Sequence, residues 1–142
     1  MSVTWTVGGA ARFFLTEVGT HARRRPAAGA FDIPVSLVIP CFNEARHLAS
    51  TVGKALSIHS QNFEVIAVDD GSTDETARIL ADLAKTDSRL RVVSLGVNQG
   101  KAAALRAAAR VATHEMLICI DGDAYIDGDA PAWLAGALTA DP

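Results

Sequence analysis

The chain has 142 residues, of which 49% are hydrophobic and 20% charged, and its formal net charge is −3. This length corresponds to about one domain with enough apolar residues to bury a core, and the negative charge argues against nucleic acid as the main partner. The apolar runs are shorter than the roughly 20 residues of a transmembrane helix, and the N-terminus lacks the early positive charge and apolar core of a signal peptide. We therefore expect a cytoplasmic protein in which Cys41 and Cys119 are reduced thiols.

Residues 1–32 show no sustained hydrophobic period, and we expect them to form a flexible N-terminal arm. The arm ends in HARRRPAAGAFD, where three arginines stand beside a proline and small residues. Such a charge run is usually a solvated tail. Its functional interpretation is contact with anionic lipid headgroups, worth about 1 kcal/mol per basic residue near a membrane surface. Both interpretations stay open.

From residue 33 onward, short apolar runs alternate with helical segments. The runs are rich in β-branched residues, as in strands that are buried on both faces of a sheet. This alternation predicts an α/β fold with a parallel sheet and right-handed crossover helices. The four predicted strands are VSLVIP (35–40), FEVIAV (63–68), RVVSL (91–95) and MLICI (116–120).

Four helices are predicted between and after these strands. The first follows Asn43 as its N-cap and runs to about Ile58. The second opens with Ser72-Thr73-Asp74-Glu75, which has the pattern of a capping box. The third is the alanine-rich segment KAAALRAAARVA (101–112). The fourth starts at Asp129-Ala130-Pro131, with Asp129 as its cap.

Each predicted strand leads into a polar cluster. Because the carboxyl ends of parallel strands meet at one edge of the sheet, where ligands of such folds bind, we expect these clusters to form one site. Two like charges, Asp121 and Asp123, are costly at the end of a core strand unless something positive lies beside them. The clusters are PCFNE (40–44), DDGS (69–72), NQGK (98–101) and DGD (121–123).

Two common nucleotide motifs do not fit this chain. No G-x-G-x-x-G follows a predicted strand, which argues against an NAD-type fold. GVNQGKA (96–102) is similar to a P-loop, but it has one residue too few between its glycines and an alanine where magnesium needs a hydroxyl. What remains is Gly100 and Lys101 at a helix N-terminus, where backbone N–H groups and a cation could meet a phosphate.

PCFNE, VDDGSTDET, NQGKAAAL and DGD, in this order, resemble the nucleotide-sugar half of family 2 glycosyltransferases. The resemblance implies a GT-A fold, that is, a three-layer Rossmann-like parallel sheet, truncated here, in a donor-binding domain over residues 33–142. The form N-x-G-K-A is most similar to the processive membrane synthases that make poly-N-acetylglucosamine, cellulose and hyaluronan.

The resemblance also implies which residues bind the metal. Asp121 and Asp123 match the family's D-x-D motif, in which the second carboxylate holds Mg²⁺ or Mn²⁺ and the first faces the ribose or the metal shell. The cation bridges to the diphosphate of the sugar donor, and oxygen ligands suit it. The simpler interpretation is that both aspartates cap a loop, although Asp127 and Asp129 fit that description better.

Further roles in nucleotide binding follow from the same resemblance. Asp70 matches a carboxylate that accepts a hydrogen bond from uracil, and Asp69 braces the loop. Lys101 is expected near the diphosphate, unless it is only an exposed lysine in a first turn.

The base and ribose pocket would be lined by Glu44 and by the backbone near Pro40 and Phe42. Phe42 occupies a position where tyrosine is frequent in the family. Glu44 could instead interact only with the helix dipole, and we assign no role to His47, His59 or His114.

The family's chemistry is inverting transfer of a hexose or N-acetylhexosamine from a nucleotide-diphosphate sugar to a glycan or lipid-linked acceptor. A carboxylate base deprotonates the acceptor hydroxyl, and in the family this base lies well past D-x-D. We therefore expect no catalytic residue in this chain, with the base beyond Pro142. The chain would then be a donor-binding fragment that is inactive alone. The full-length protein would associate with a membrane, with this domain at the cytoplasmic face.

Two other classes of function remain. A non-catalytic nucleotide-binding or interaction module would keep the binding residues and show binding without turnover. A receiver-like signalling domain also places an acidic pair, an aspartate and a lysine on a parallel sheet. Here, however, the pair Asp69-Asp70 ends the second predicted strand rather than the first, and Lys101 lies between strands three and four.

Overall fold

The computed structural model describes residues 3–7, 11–15, 34–58 and 62–124, and all structural statements refer to these residues. None of the helices in these ranges is long and apolar enough to cross a membrane. The elements in chain order are β1 (Val3–Val7), β2 (Ala11–Leu15), β3 (Val35–Cys41), α1 (Leu48–Leu56), β4 (Phe63–Asp69), α2 (Thr76–Thr86), β5 (Leu90–Ser94), α3 (Lys101–Val111) and β6 (Met116–Cys119).

The strands form one sheet in the order β1-β2-β6-β3-β4-β5. The four strands that the sequence predicts are β3, β4, β5 and β6, and each pairs in parallel with its neighbour. Val38 of β3 lies opposite Ile66 on one side and Cys119 on the other. The predicted parallel α/β sheet is therefore confirmed, and its strand ends match the prediction to within one residue.

Helices cover both faces of this sheet. Successive side chains of a strand point to opposite faces, so Leu37 and Ile39 face α1 and α2 while Val38 faces α3. Burying such a side chain stabilises the fold by roughly 1.5–3 kcal/mol. The two cores also include Leu48, Val52 and Leu80 on the first face and Ile66, Ala104 and Ala108 on the second. The protein therefore has the predicted three layers, and the loops that follow β3, β4 and β6 share one edge.

Helix α1 begins at Leu48, later than predicted. Asn43 has a positive φ of 56°, and its side-chain oxygen accepts hydrogen bonds from the backbone N–H groups of Thr73 (2.8 Å) and Asp74 (3.3 Å). Because these donors lie in the loop after β4, the oxygen does not cap its own helix. The prediction that Asn43 caps α1 is wrong.

The capping box predicted for α2 is also absent. The helix begins at Thr76 after Glu75, and Glu75 makes no side-chain cap hydrogen bond. Asp74 instead accepts a hydrogen bond from the Thr76 N–H at 2.9 Å, and the Ser72 hydroxyl accepts one from the Asn43 N–H at 3.0 Å. Helix α3 begins at Lys101 as predicted, whereas the fourth predicted helix lies outside the described residues.

Two strands lie within the predicted N-terminal arm. β1 pairs antiparallel with β2, and β2 pairs in parallel with β6. For these two segments the structure differs from the arm that was expected. Their sequences, VTWTV and ARFFL, are rich in β-branched and aromatic residues, but each is too short to show a sustained period. The domain boundary at residue 32 stays a prediction, and the arginine run at 23–25 lies outside the described residues.

Candidate functional site

The carboxyl ends of β3, β4 and β6 and the first turn of α3 surround a cavity of about 340 Å³. Every residue predicted to bind nucleotide or metal lines this cavity, so the structure brings all seven together. Their individual roles stay predictions. The lining residues are Pro40, Cys41, Phe42, Glu44, Asp70, Lys101, Ala104, Asp121, Gly122 and Asp123.

The acidic turn Asp121–Asp123 begins where β6 leaves the sheet. The Ile120 N–H still donates to the Val38 carbonyl at 2.8 Å, and the Ala124 N–H then closes a turn by donating to the Asp121 carbonyl at 2.9 Å. A Cβ atom on Gly122 would lie 3.1 Å from Cγ of Glu44. Glycine between the two aspartates therefore lets Glu44 lie beside them at the cavity wall.

Lys101 is a positive partner of the acidic turn in this structure. Its Nζ forms an ion pair with Oδ1 of Asp121. The pKa of Lys101 is raised, chiefly because Asp121 accepts its hydrogen bond, while partial burial opposes the shift. The two side chains are 49% and 60% exposed, so water screens the pair and it contributes little to stability. A positive charge thus lies beside Asp121, and because the carboxylate is exposed, water also offsets the charge that the sequence places at the end of this core strand.

Asp70 is buried and holds the loop that precedes α3. Its Oδ1 accepts a hydrogen bond from the Gln99 N–H and its Oδ2 one from the Gly100 N–H, both at 2.7 Å. The N–H groups of Gln99 and Gly100, at the helix N-terminus, are therefore taken by a carboxylate of the protein itself. The expectation that backbone N–H groups of this helix N-terminus meet a phosphate therefore stays a prediction for the N–H groups after Gly100. A carboxylate has about four acceptor positions, so Asp70 keeps acceptor capacity toward the cavity.

Gly71 allows the loops after β4 and β5 to touch. It has a positive φ of 71°, and a Cβ atom there would lie 2.4 Å from the backbone carbon of Val97. Beside it, Oδ1 of the buried Asp69 accepts a hydrogen bond from the Ser72 N–H at 3.1 Å. Asp69 therefore braces its loop, as the resemblance implied, and Gly71 brings Asp70 within reach of its partners.

A set of hydrogen bonds that was not predicted joins the loop after β3 to the loop after β4. Besides the contacts of Asn43, the Glu44 N–H donates to Oγ1 of Thr76 at 2.9 Å and the Ala45 N–H donates to Oδ2 of Asp74 at 3.2 Å. One signal was present in the sequence: Asn, Ser, Thr and Asp side chains, which readily bond to backbone groups, follow the first two predicted strands. The structure shows that these two strands, β3 and β4, are neighbours in the sheet. The contacts fix Glu44 relative to Asp70.

The two cysteines are free thiols in this structure. Burial, with smaller effects from Asp69 and Glu44, raises the pKa of Cys41 to about 12, and its Sγ donates to the Ile39 carbonyl at 3.2 Å. Burial also raises the pKa of Cys119 to about 11. Both therefore stay protonated near neutral pH, and Cys41 offers the cavity a thiol rather than a thiolate ligand.

A divalent cation would find two carboxylates at the acidic turn. Among the described residues, no group of three or more His, Cys, Asp or Glu side chains could hold a metal ion. Asp121 and Asp123 supply the oxygen ligands that Mg²⁺ and Mn²⁺ prefer, and such ions commonly complete their shell with substrate phosphates and water. The donor set therefore fits a cation that arrives together with a diphosphate.

Comparisons with known sequences match this chain to glycosyltransferases. The family model described as "Glycosyl transferase family 2" matches residues 36–142. The poly-beta-1,6-N-acetyl-D-glucosamine synthase of Staphylococcus epidermidis is 32% identical over 152 residues, which cover 100% of this chain and 37% of that protein. The chain thus spans little more than a third of the length of the curated relatives it matches.

Two solved structures share the fold. One is the mannosyltransferase PcManGT from Pyrobaculum calidifontis in complex with GDP-Man and Mn²⁺, with 31% identity, a TM-score of 0.69, and coverage of 80% of this chain and 34% of that one. The other is S. aureus TarS 1-349 in complex with UDP-GlcNAc, with 25% identity, a TM-score of 0.65, and coverage of 76% and 32%. These likenesses confirm the Rossmann-like GT-A architecture.

Proposed function

The chain belongs to glycosyl transferase family 2, and we propose that the cavity at the carboxyl ends of β3, β4 and β6 binds a nucleotide-diphosphate sugar, specifically a UDP-sugar. The observation that carries the proposal is the convergence of seven matching motif residues on one cavity of about 340 Å³. A cleft of this size lies within the usual range for small-molecule sites, roughly 300–1,000 Å³. The relative that synthesises an N-acetylglucosamine polymer and the neighbour bound to UDP-GlcNAc support a UDP-sugar.

The walls of the cavity offer groups suited to a base and a ribose. Phe42 is 44% exposed, and its ring is a flat apolar face on which a base can stack. Asp70, held by the loop before α3, can accept a hydrogen bond from the uracil ring. Glu44 lies beside Gly122 and can accept one from a ribose hydroxyl.

The acidic turn and Lys101, which line the same cavity, are suited to the diphosphate. Asp123, with Asp121, would hold Mg²⁺ or Mn²⁺, and the neighbour with GDP-Man and Mn²⁺ supports a divalent ion. Such an ion, when bound, neutralises the charge of a departing nucleoside diphosphate. Lys101, at the N-terminus of α3, adds a positive charge to that of the metal ion. Its Nζ can donate to a phosphate oxygen as well as to Asp121.

In the whole protein the reaction would be inverting transfer of a hexose or N-acetylhexosamine to a glycan or lipid-linked acceptor, at the cytoplasmic face of a membrane. We propose that this chain supplies donor binding while the carboxylate base belongs to a part of the protein outside it. A non-catalytic nucleotide-binding module is the second candidate. Both candidate functions predict that this chain binds the nucleotide. They differ in whether the full-length protein transfers sugar.

Calorimetric titration with UDP tests the donor site. We expect binding to be weak with a chelator, because the diphosphate and the acidic turn repel each other, and stronger with Mn²⁺. Asp123→Ala should remove most of that gain. Asp82→Ala is the matched control, since Asp82 is exposed on α2 and pairs only with Arg78 and Lys85 among the contacts described.

The possible outcomes of this titration test metal binding and nucleotide binding separately. Equal affinity for UDP with Mn²⁺ and with chelator would contradict the role of the acidic turn in metal binding. An absence of UDP binding under both conditions, by a folded chain, would contradict the donor site itself.

A further inference from the structure

Thr51 is a buried residue of α1 whose hydroxyl reaches the acidic turn. The residue is 4% exposed, and Oγ1 lies 2.9 Å from the carbonyl oxygen of Gly122. The carbonyls of His47 and Ala124 are farther away, at 3.3 and 3.5 Å. A hydroxyl has a single proton to donate, and a helical threonine commonly donates it four residues back. Here the shortest contact is instead to Gly122, 71 residues along the chain.

This contact fixes the peptide group between two aspartates. β6 ends at Cys119. The Ile120 N–H, just after the strand, still donates to the Val38 carbonyl of β3 before the acidic turn begins. Beyond it, Asp121 and Asp123 are exposed while Gly122 is buried. The orientation of the Gly122 carbonyl sets the direction of the adjoining peptide and therefore of the Asp123 side chain. Thr51 thus ties an exposed acidic turn to a buried helix.

We propose that Thr51 is a positioning residue that holds the acidic turn in the conformation that binds a divalent cation with the nucleotide. The inference rests on the proposed donor site and deepens it by naming the residue that orients its metal-binding carboxylates. Hydrogen-bonding groups behind metal ligands typically change metal affinity by roughly 10- to 100-fold when they are removed.

The alternative is a purely structural role, in which the Thr51 hydroxyl only satisfies a buried carbonyl. That role would lower stability without changing the metal dependence of nucleotide binding. Thr51→Val removes the hydroxyl and keeps the branched shape, whereas Thr51→Ser keeps the hydroxyl and loses a methyl group. The two variants therefore separate hydrogen bonding from packing.

The experiment is calorimetric titration of the full chain and its variants with UDP, in Mn²⁺ and in chelator, alongside thermal unfolding. We expect Thr51→Val to reduce the Mn²⁺-dependent gain in affinity by roughly 10-fold and to leave binding in chelator unchanged. Thr51→Ser, which keeps the hydroxyl, should keep most of the Mn²⁺-dependent gain. Thr86→Val is the control for the same substitution at an exposed helical threonine, because the Thr86 hydroxyl donates, among the described residues, to the nearby Leu83 carbonyl. If Thr51→Val does not fold, Thr51→Ala removes the same hydroxyl and decides the question.

Three outcomes are informative. A folded Thr51→Val protein with the wild-type Mn²⁺ dependence would overturn the positioning role while leaving the donor site intact. An equal loss in Thr51→Ser and Thr51→Val would also overturn it, since packing rather than the hydroxyl would then be responsible. Absence of Mn²⁺-dependent UDP binding by the wild-type chain would instead contradict the metal-dependent donor site, and the inference with it.

Discussion

Single residues at the strand ends explain why polar and charged groups can lie so close to the core. Asp70 is buried, yet both of its oxygens accept backbone hydrogen bonds, so neither oxygen is left without a donor. Asp121 is exposed and lies beside Lys101. Both aspartates line the cavity, but Asp70 is buried and bonded to backbone N–H groups, whereas Asp121 is exposed beside a lysine.

The Gly71→Ala substitution tests the contact between the loops after β4 and β5. A methyl group at this position would meet the backbone of Val97, and the positive φ disfavours any side chain. We expect the free energy of unfolding to fall by about 1–3 kcal/mol, measured by urea denaturation. Gly53→Ala is the control, because Gly53 lies in α1 with open space around it, and alanine there should stabilise by up to about 1 kcal/mol. Equal effects of the two substitutions would contradict the requirement for glycine at position 71.

Among the elements, β4 runs from the cavity, at its carboxyl end, to a cluster of hydrogen bonds at its amino end. Its last residue, Asp69, precedes the site, whereas Glu64 near its start bonds to the turn after α3. Glu64 accepts hydrogen bonds from the Ser36 hydroxyl at 2.7 Å and from the Thr113 N–H at 2.6 Å, and Arg91 lies 3.6 Å from it. One carboxylate thus joins β3, β4 and the segment that leads into β6, and so helps to hold the strands whose ends form the site.

The protonation of Glu64 predicts a loss of stability in acid. Burial by itself would raise the pKa of Glu64, but the hydrogen bonds from Thr113 and Ser36 and the charge of Arg91 lower it below 4.5. Since the folded-state pKa is depressed, this carboxylate stabilises the fold fully above pH 4.5, and the contribution is lost as the pH falls through the folded-state pKa.

Unfolding of wild-type and Glu64→Gln proteins between about pH 7 and pH 3 measures this effect. We expect the variant to be less stable at neutral pH and to lose less stability on acidification than the wild type. Glu115→Gln is the control for the change in net charge, because it removes one carboxylate from an exposed position just before β6. A Glu64→Gln protein with the wild-type acid dependence would contradict the role of this carboxylate.

At the scale of the whole molecule, the chain spans a little over a third of the length of the first curated relative that it matches, and the donor site is a proposal for this part. We expect this chain alone to transfer no sugar at an appreciable rate. General-base catalysis is typically worth about 10²- to 10⁴-fold, and we have proposed that the base belongs to a part of the protein outside this chain. The test is an assay with radiolabelled UDP-N-acetylglucosamine, Mn²⁺ and short oligosaccharide acceptors. Sustained acceptor-dependent product from the purified chain would show that a base lies within residues 1–142.

Much of the fold and the composition of the site followed from the sequence. The strands β3, β4, β5 and β6 were predicted to within one residue, because β-branched runs buried on both faces have few other stable arrangements. In a parallel sheet, their carboxyl ends must lie at one edge. The convergence of Asp70, Lys101 and Asp121 on one cavity was therefore predictable before any tertiary contact was known, and the strands in the first 32 residues were not, because each is too short to show a period.

What only the tertiary structure decided is the hydrogen-bond partner of each polar group. Asn43 and Asp70 bond to residues about 30 positions away and Thr51 to one 71 positions away, so local pattern could not identify these partners. Local pattern instead favoured a helix cap at Asn43 and gave no reason to single out Thr51. A side chain bonds to whichever donors or acceptors the packed chain brings within about 3 Å, and that proximity arises from the order of the strands rather than from neighbours in sequence.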